Sequence, residues 1–364
     1  MIELIPLEIY IHTYYLLMLF VVVLTFVNTQ SLPMHSKSNL SFINNIGWIY
    51  FVFLWLYMGL RPISGAYFGD MKTYSKIFYK YALGAPIMSS KDIAFHVFTK
   101  LSSQIMSVHT YFLVCAGLYI FPLVVVCRKW FGNYWYYGFL FLVTAFSFWA
   151  YGTNGIRNGI AGSLFLLAIS REKRISQILL ILLAISFHKS IIIPTAAFVL
   201  ANFYNNPKKM IYLWLLCIPL SLVGGGFFES FFGNLGFDDE RMSYLTEENK
   251  HGDNFSSTGF RWDFLLYSFT AVFAGWYYIV KRKFKDKIYF WLFNTYVLTN
   301  AFWVLVIRAN FSNRFAYLSW FMMSLVIIYP LLKQYIIAKQ HKKLGLILLA
   351  YFSFTLFMNL LLLL

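Results

Sequence analysis

The side chains in this sequence that could do chemistry are mostly cations. Arg157 and Asn158 stand in GIRNGIA, His188, Lys189 and Ser190 in FHKS, and Arg308 and Arg314 bound RANFSNR. Earlier in the chain, RPISGAYFGDMKTY carries Arg61, Asp70 and Tyr74. Many cations beside few carboxylates call for an anion, and phosphate suits them because Arg presents a planar fork for bidentate contacts. His188 titrates near neutral pH and could serve as a base or donate a hydrogen bond to a leaving phosphate. Asp70 could be a general base, or an electrostatic partner for a substrate hydroxyl or an arginine. Each residue also has a plainer reading. Asp70 stands where a helix cap would, His188 could be satisfied by backbone at a helix break, and Arg157 and Lys189 could snorkel to an interface. Gly155, Gly159 and Gly162 allow close approach of a ligand or serve equally as a helix-packing face.

The elements that must position these residues are apolar. Of 364 residues 60% are hydrophobic, 21% aromatic and 12% charged, and apolar runs of roughly 20 residues recur, the length a helix needs to cross a bilayer. The expectation is an all-α polytopic membrane protein. It would be a single integral membrane domain over residues 1–364, with outer loops at 61–107 and 228–260. No alternating short segments suggest a barrel. The net charge of +16 fits the positive-inside rule, since most Lys and Arg fall in short loops, and does not call for nucleic acid. Cys115, Cys127 and Cys217 lie in apolar segments without paired spacing and read as small core residues. The start of the sequence lacks a basic region and a small-residue cleavage signal, so the first helix is expected to be retained.

In order, apolar runs cover about Ile11–Asn28, Phe42–Leu60, Val108–Val126, Tyr134–Ala150, Ile156–Ile169, Ile211–Phe227, Trp262–Val280, Ile288–Ile307, Phe315–Ile336 and Leu344–Leu362. That makes about 10 to 11 transmembrane helices. Between Arg61 and Ile105 the chain is too polar to span. Tyr74, Phe78 and Tyr81 recur there at helical spacing, so part of it lies amphipathically on the surface. Asp92 with Ser89 or Ser90 caps a second short helix. Glu3 and Glu8 before the first run and Lys37 after it place the start of the chain outside.

If Ile175–Leu200 crossed once, the basic clusters at 281–287 and 339–343 would fall on the wrong side. A re-entrant break at His188–Lys189–Ser190 puts every basic cluster inside and both long loops outside. Such a break is tolerated only where it is buried in protein or lines a wet cavity, and it is where a transporter or an enzyme keeps its binding site. The competing reading is one long tilted helix with a span miscounted elsewhere. With the break, Arg61, Asp70, Arg157, His188, Lys189, Arg308 and Arg314 gather at the outer face.

The ordered set of Arg61, Asp70 with Tyr74 and Phe78, GxRNGxA at 155–161, FHKS at 187–190 and NRF at 313–315 resembles the EpsG/Wzy-type polysaccharide polymerases. The likeness runs from about Arg61 to Pro330. Gly69-Asp70-Met71 stands where the family often has Thr-Asp-Tyr, and Asn158 where Gln is usual, so the motifs match in charge more than in detail. The resemblance implies a GT-C-like bacterial enzyme of the cytoplasmic membrane that lengthens O-antigen or exopolysaccharide at the outer face. Its donor and acceptor would be oligosaccharide repeat units on undecaprenyl diphosphate, and undecaprenyl diphosphate would leave. A chain-length regulator protein is a candidate partner.

In that reading Arg157, Lys189 and Arg314 hold the diphosphate, with Arg61 and Arg308 as further candidates, and preorganised cations act as the electrostatic catalyst. Asp70 or His188 accepts the acceptor proton, and Tyr74 and Asn158 contact substrate. No cofactor and no metal is called for, since few carboxylates are present to cage Mg²⁺. A flippase or transporter of an anionic lipid-linked glycan fits the same cavity. It should show internal repeats, which the sequence lacks. A His188-based acyltransferase would need a polar cluster on the cytoplasmic side beyond the topology signals.

Overall fold

The computed structural model describes residues 5–233, 259–309 and 312–361. The chain is an all-α polytopic membrane protein, with no strand among the described residues. Eight helices among those residues are long and apolar enough to cross a membrane. Three further apolar helices, Ile156–Ile169, Arg174–Phe187 and Lys189–Phe203, are shorter. At 1.5 Å per residue each rises only about 20 Å, against a hydrocarbon core of about 30 Å. The sequence expectation of about 10 to 11 crossings differs here. The expected Tyr134–Ala150 crossing is two short helices, Trp135–Val143 and Phe148–Thr153, parted by a turn.

The chain divides into two compact units, one of Met1–Lys189 with Leu331–Leu364, the other Ser190–Pro330. The first unit begins with α1 (Leu7–Ser31) and α2 (Lys37–Gly59). On α1 the inward stripe Tyr10, Tyr14, Met18, Val22, Thr25 and Thr29 recurs every three to four residues, while Ile9, Leu16, Phe20, Val23 and Val27 are exposed. A helix that keeps its hydroxyls inward and its greasy side outward is patterned for lipid, where only the protein interior can satisfy polar groups. Ser36 Oγ accepts a 3.2 Å hydrogen bond from the Asn39 N–H and so caps α2.

After a short turn α3 (Gly65–Phe68) come two helices too short and polar to span, α4 (Met71–Ala82) and α5 (Ile93–Ile105). Tyr74, Phe78 and Tyr81 are buried, as their helical spacing requires. Central to the unit is α6 (Val108–Phe131), packed against α2, α7 (Trp135–Val143) and α9 (Ile156–Ile169). Its first turn is capped by Ser107, and Arg128 and Lys129 sit in its last turn, where cations complement the helix dipole. The short α8 (Phe148–Thr153) leads into α9, which packs on α10 (Arg174–Phe187). The last helix, α16 (Gln340–Leu356), returns to lie against α1, joined by Gln30 donating to the Lys342 carbonyl at 3.0 Å.

The second unit holds α11 (Ile192–Phe203), α12 (Pro207–Gly233), α13 (Trp262–Trp276), α14 (Lys287–Leu305) and most of α15 (Ser312–Lys333). Helix α12 breaks its helical geometry at Gly224. Asn300, fully buried on α14, is the polar hub. It accepts from Trp214 Nε1 at 2.7 Å and donates to Ser268 and Ser319 at 3.1 and 2.9 Å. One amide thus ties four helices together, which is how polar side chains contribute to helix association in lipid.

Candidate active site

Two tight local features bring the distant motifs of the first unit together. Gly69 has φ +53, and a Cβ there would meet Asn154 Oδ1 at 2.4 Å. Only glycine fits both the backbone and the space. The following Asp70 N–H donates to that same Asn154 oxygen at 2.8 Å, so FGDMKTY is pinned to the junction of α8 and α9. Asp70 occupies the position before α4, but its side chain makes no cap hydrogen bond and it is exposed.

Tyr74, one turn along α4, is buried, and the Arg157 guanidinium lies 5.9 Å from its ring centroid. The Phe95 ring of α5 stands at the same distance. A guanidinium between two aromatic faces is held by their negative quadrupoles at little solvation cost. Burial pushes the Tyr74 hydroxyl up to about 12, with the Arg157 charge opposing, so Tyr74 is a neutral donor at physiological pH.

The acid that organises this cluster is Asp92, 6% exposed. Its backbone is left-handed, at φ +52, a conformation Asp tolerates at a cost of ~1 kcal/mol. Its carboxylate does not cap α5. Oδ2 instead accepts from Arg157 Nη1 at 2.7 Å, and Oδ1 accepts from the Lys189 backbone N–H at 3.0 Å. The His188 imidazole Nε2 lies 3.9 Å from Oδ2.

The second of these bonds explains how the chain can break at His188. Helix α10 ends at Phe187, His188 is extended at φ −156 and ψ 120, and a 3-10 turn follows over Lys189–Ile191. Leaving the helix takes the Lys189 N–H away from a helical acceptor, and a buried N–H must find another. Asp92 supplies it. His188 itself is buried at 7% exposure.

Arg157 brings a positive charge to this cluster and Asp92 a negative one, while Lys189 enters it through its backbone N–H. Asn158 follows Arg157 in the first turn of α9 and is partly exposed. Arg61 is placed differently. At 1% exposure its guanidinium donates to the carbonyls of Met58 and, at 3.2 Å, Thr153, between the rings of Phe68 and Phe112 at 5.7 Å each. Arg308 and Arg314 belong to the second unit. Arg308 is exposed and donates to the Leu222 carbonyl at 3.2 Å, and Arg314 is partly exposed in the first turn of α15. The outer loop expected at 228–260 falls largely on 234–258, outside the described residues.

The structure thus brings Tyr74, Arg157, His188 and Lys189 together. To these it adds Asp92, which sequence reasoning treated as a helix cap. The available signal was composition: with 14 Asp and Glu in 364 residues, an acid at the start of an aromatic-rich helix is an uncommon resource. Chemically, the cluster offers an oriented guanidinium for an anion and a carboxylate that can stabilise a proton taken up by His188. The sequence profile of the EpsG family matches residues 44–363. Neither a curated protein nor a solved structure matches the chain.

Proposed function

We propose, for a chain that belongs to the EpsG family, that it is the glycosyltransferase that polymerises repeat units of a bacterial surface polysaccharide. Family membership supports a polymerase-type role in general. The finer reading is ours. Donor and acceptor are oligosaccharide repeat units on undecaprenyl diphosphate, met at the outer face of the cytoplasmic membrane. The acceptor hydroxyl oxygen bonds to the donor's anomeric carbon, the bond from that carbon to the diphosphate breaks, and undecaprenyl diphosphate leaves with the electron pair.

The observation that carries this reading is the meeting of Arg157, His188, Lys189 and Asp92 from segments far apart in sequence. Arg157 and Lys189 neutralise the departing diphosphate, and cations already in position need no reorganisation as its charge develops. His188 takes the acceptor proton, with Asp92 stabilising the resulting imidazolium. Asp70, on the exposed lip beside Tyr74, is the alternative base. Tyr74 and Asn158 contact the sugars or the diphosphate.

The test is surface glycan length on a gel from cells with wild type, Arg157→Ala, His188→Ala, Asp70→Asn or Asp92→Asn at matched protein levels. Loss of the long ladder, with single repeat units still reaching the surface, is the expected result. Repeat units trapped inside would instead favour a transporter. A normal ladder in every variant would overturn the site. Arg308→Ala and Arg314→Ala, read on the same gel, test the two late arginines.

A further inference from the structure

A concavity rimmed by basic residues lies in the unit of residues 190–330, beside the loop at 281–287. Its volume is about 780 Å³, and two segments some 70 residues apart line it, 205–208 and 279–290. Four lysines border it: Lys208, Lys283, Lys285 and Lys287. The one carboxylate among its lining residues, Asp286, is already committed. Its Oδ1 caps α14 by accepting from the Tyr289 N–H at 2.8 Å, and it also accepts from the Tyr329 hydroxyl at 3.3 Å. None of the four lysines is in an ion pair among the described residues.

A basic loop alone is explained by the positive-inside rule. That rule asks for charge and says nothing of shape, whereas this loop is shaped. Helix α13 widens into a π turn over Tyr277–Lys281, a form that recurs at functional positions. The Phe284 N–H closes back onto the Tyr278 carbonyl at 2.9 Å, and its buried ring packs 5.4 Å from Tyr289. Lys283 is left-handed at φ +55. A loop nailed down by Phe284 holds Lys283 and Lys285, on either side of that ring, in the open. Across the cavity, Asn205 is fixed by Asn294 at 2.8 Å, and Asn206 accepts from the Lys209 N–H, capping α12. The first turns of α12 and α14 both open here, adding their positive ends.

The remaining wall is apolar, from Ile279, Val280 and Phe290. A free anion has no use for such a wall, but an anionic lipid does. We propose that this cavity binds the phosphate headgroup of an anionic phospholipid, the lysines taking the phosphate and the apolar wall the start of the lipid's acyl chains. Basic pockets between membrane helices recognise anionic headgroups in this way. The site is independent of the glycan chemistry proposed for the other unit.

The test uses the full chain purified in detergent, its thermal unfolding followed with added phosphatidylglycerol, phosphatidylcholine or inorganic phosphate. Phosphatidylglycerol should raise Tm by roughly a few degrees, and phosphatidylcholine should not. The gain should vanish in Lys208→Gln/Lys283→Gln/Lys285→Gln and persist in Lys339→Gln/Lys342→Gln/Lys343→Gln, which removes equal charge elsewhere. If the first triple variant does not fold, Lys283→Gln is read in its place and should halve the gain or more. An equal rise with phosphatidylcholine, or an undiminished rise in the variants of the cavity, overturns the site. A rise as large with inorganic phosphate overturns the lipid as its occupant.

Discussion

Asp92 Oδ2 accepts a 2.7 Å hydrogen bond from Arg157 Nη1 across 65 residues of sequence. The same carboxylate holds the Lys189 N–H at the helix break, so one side chain serves both a guanidinium and a backbone. The two duties separate by substitution. In Asp92→Asn the amide oxygen still accepts from Lys189 but no longer balances Arg157, so folded protein should persist while the glycan ladder shortens. Asp92→Ala leaves Arg157 uncompensated as Asp92→Asn does, and also strands the Lys189 N–H, which should cost about 1–3 kcal/mol of stability beyond the Asn variant. Thermal unfolding of the purified chain beside the gel distinguishes the two.

Arg157→Lys keeps the charge and loses the fork. Its ammonium cannot accept the same bracing between Tyr74, Phe95 and Asp92, because Lys is a flexible point charge. Polymer formation by purified protein should fall by roughly 100-fold, the usual loss when one preorganised donor to a developing anion is removed. A rate within twofold of wild type would place the anion elsewhere.

Arg61 should behave unlike Arg157. Its guanidinium is committed to two backbone carbonyls inside the protein, so Arg61→Ala strands both. The expected result is less folded protein in the membrane, with ladder length per folded molecule nearly unchanged. Quantitative blotting against the gel reads this directly, and a lost ladder at normal protein level would return Arg61 to substrate binding.

His96 makes acid a stress on this region. Burial and the Arg157 charge hold its imidazole below the ordinary value. The Tyr81 hydroxyl accepts from the Met88 N–H at 3.1 Å and shares a 2.8 Å hydrogen bond with His96 Nδ1. Below about pH 6.5 the unfolded chain takes up a proton that the folded one refuses. Stability should therefore fall as pH drops from about 6.5 toward the lowered folded pKa, and His96→Gln should flatten that fall. Tm measured from pH 7.5 to 5 checks it.

Much of this was legible in the sequence, and the reasons differ by residue. The break at His188 could be read because the polar His188-Lys189-Ser190 interrupts an apolar run, whereas the charge asymmetry of the loops points to it only through a count of crossings that the structure does not reproduce. The inward face of α4 could be read because Tyr74, Phe78 and Tyr81 recur with the helix period. Asp92 could not be placed. Serines just before it and a helix just after it match a local cap, and a cap is what short-range spacing can express. Its actual partners, Arg157 of α9 and Lys189 just after α10, are fixed by how α5 lies against α10 and α10 against α9, which no local pattern encodes. The division of Tyr134–Ala150 was hidden for the opposite reason: the run carries no charge and only Thr144 and Ser147 mark the turn at 144–147, too little for hydropathy to register it.

The first unit is completed by the last helix of the chain: α16 lies against α1, yet residues 190–330 are made between them. On the ribosome, the carboxylate–guanidinium cluster can assemble once Lys189 has emerged, while one wall of its own unit does not yet exist. During that interval the flank of α1 is a vacancy in the membrane, open to other hydrophobic chains and to proteases that survey unfinished proteins. A premature stop near residue 330 would thus leave the Asp92–Arg157–Lys189 cluster joined in a body open to proteolysis, and its failure would trace to lifetime.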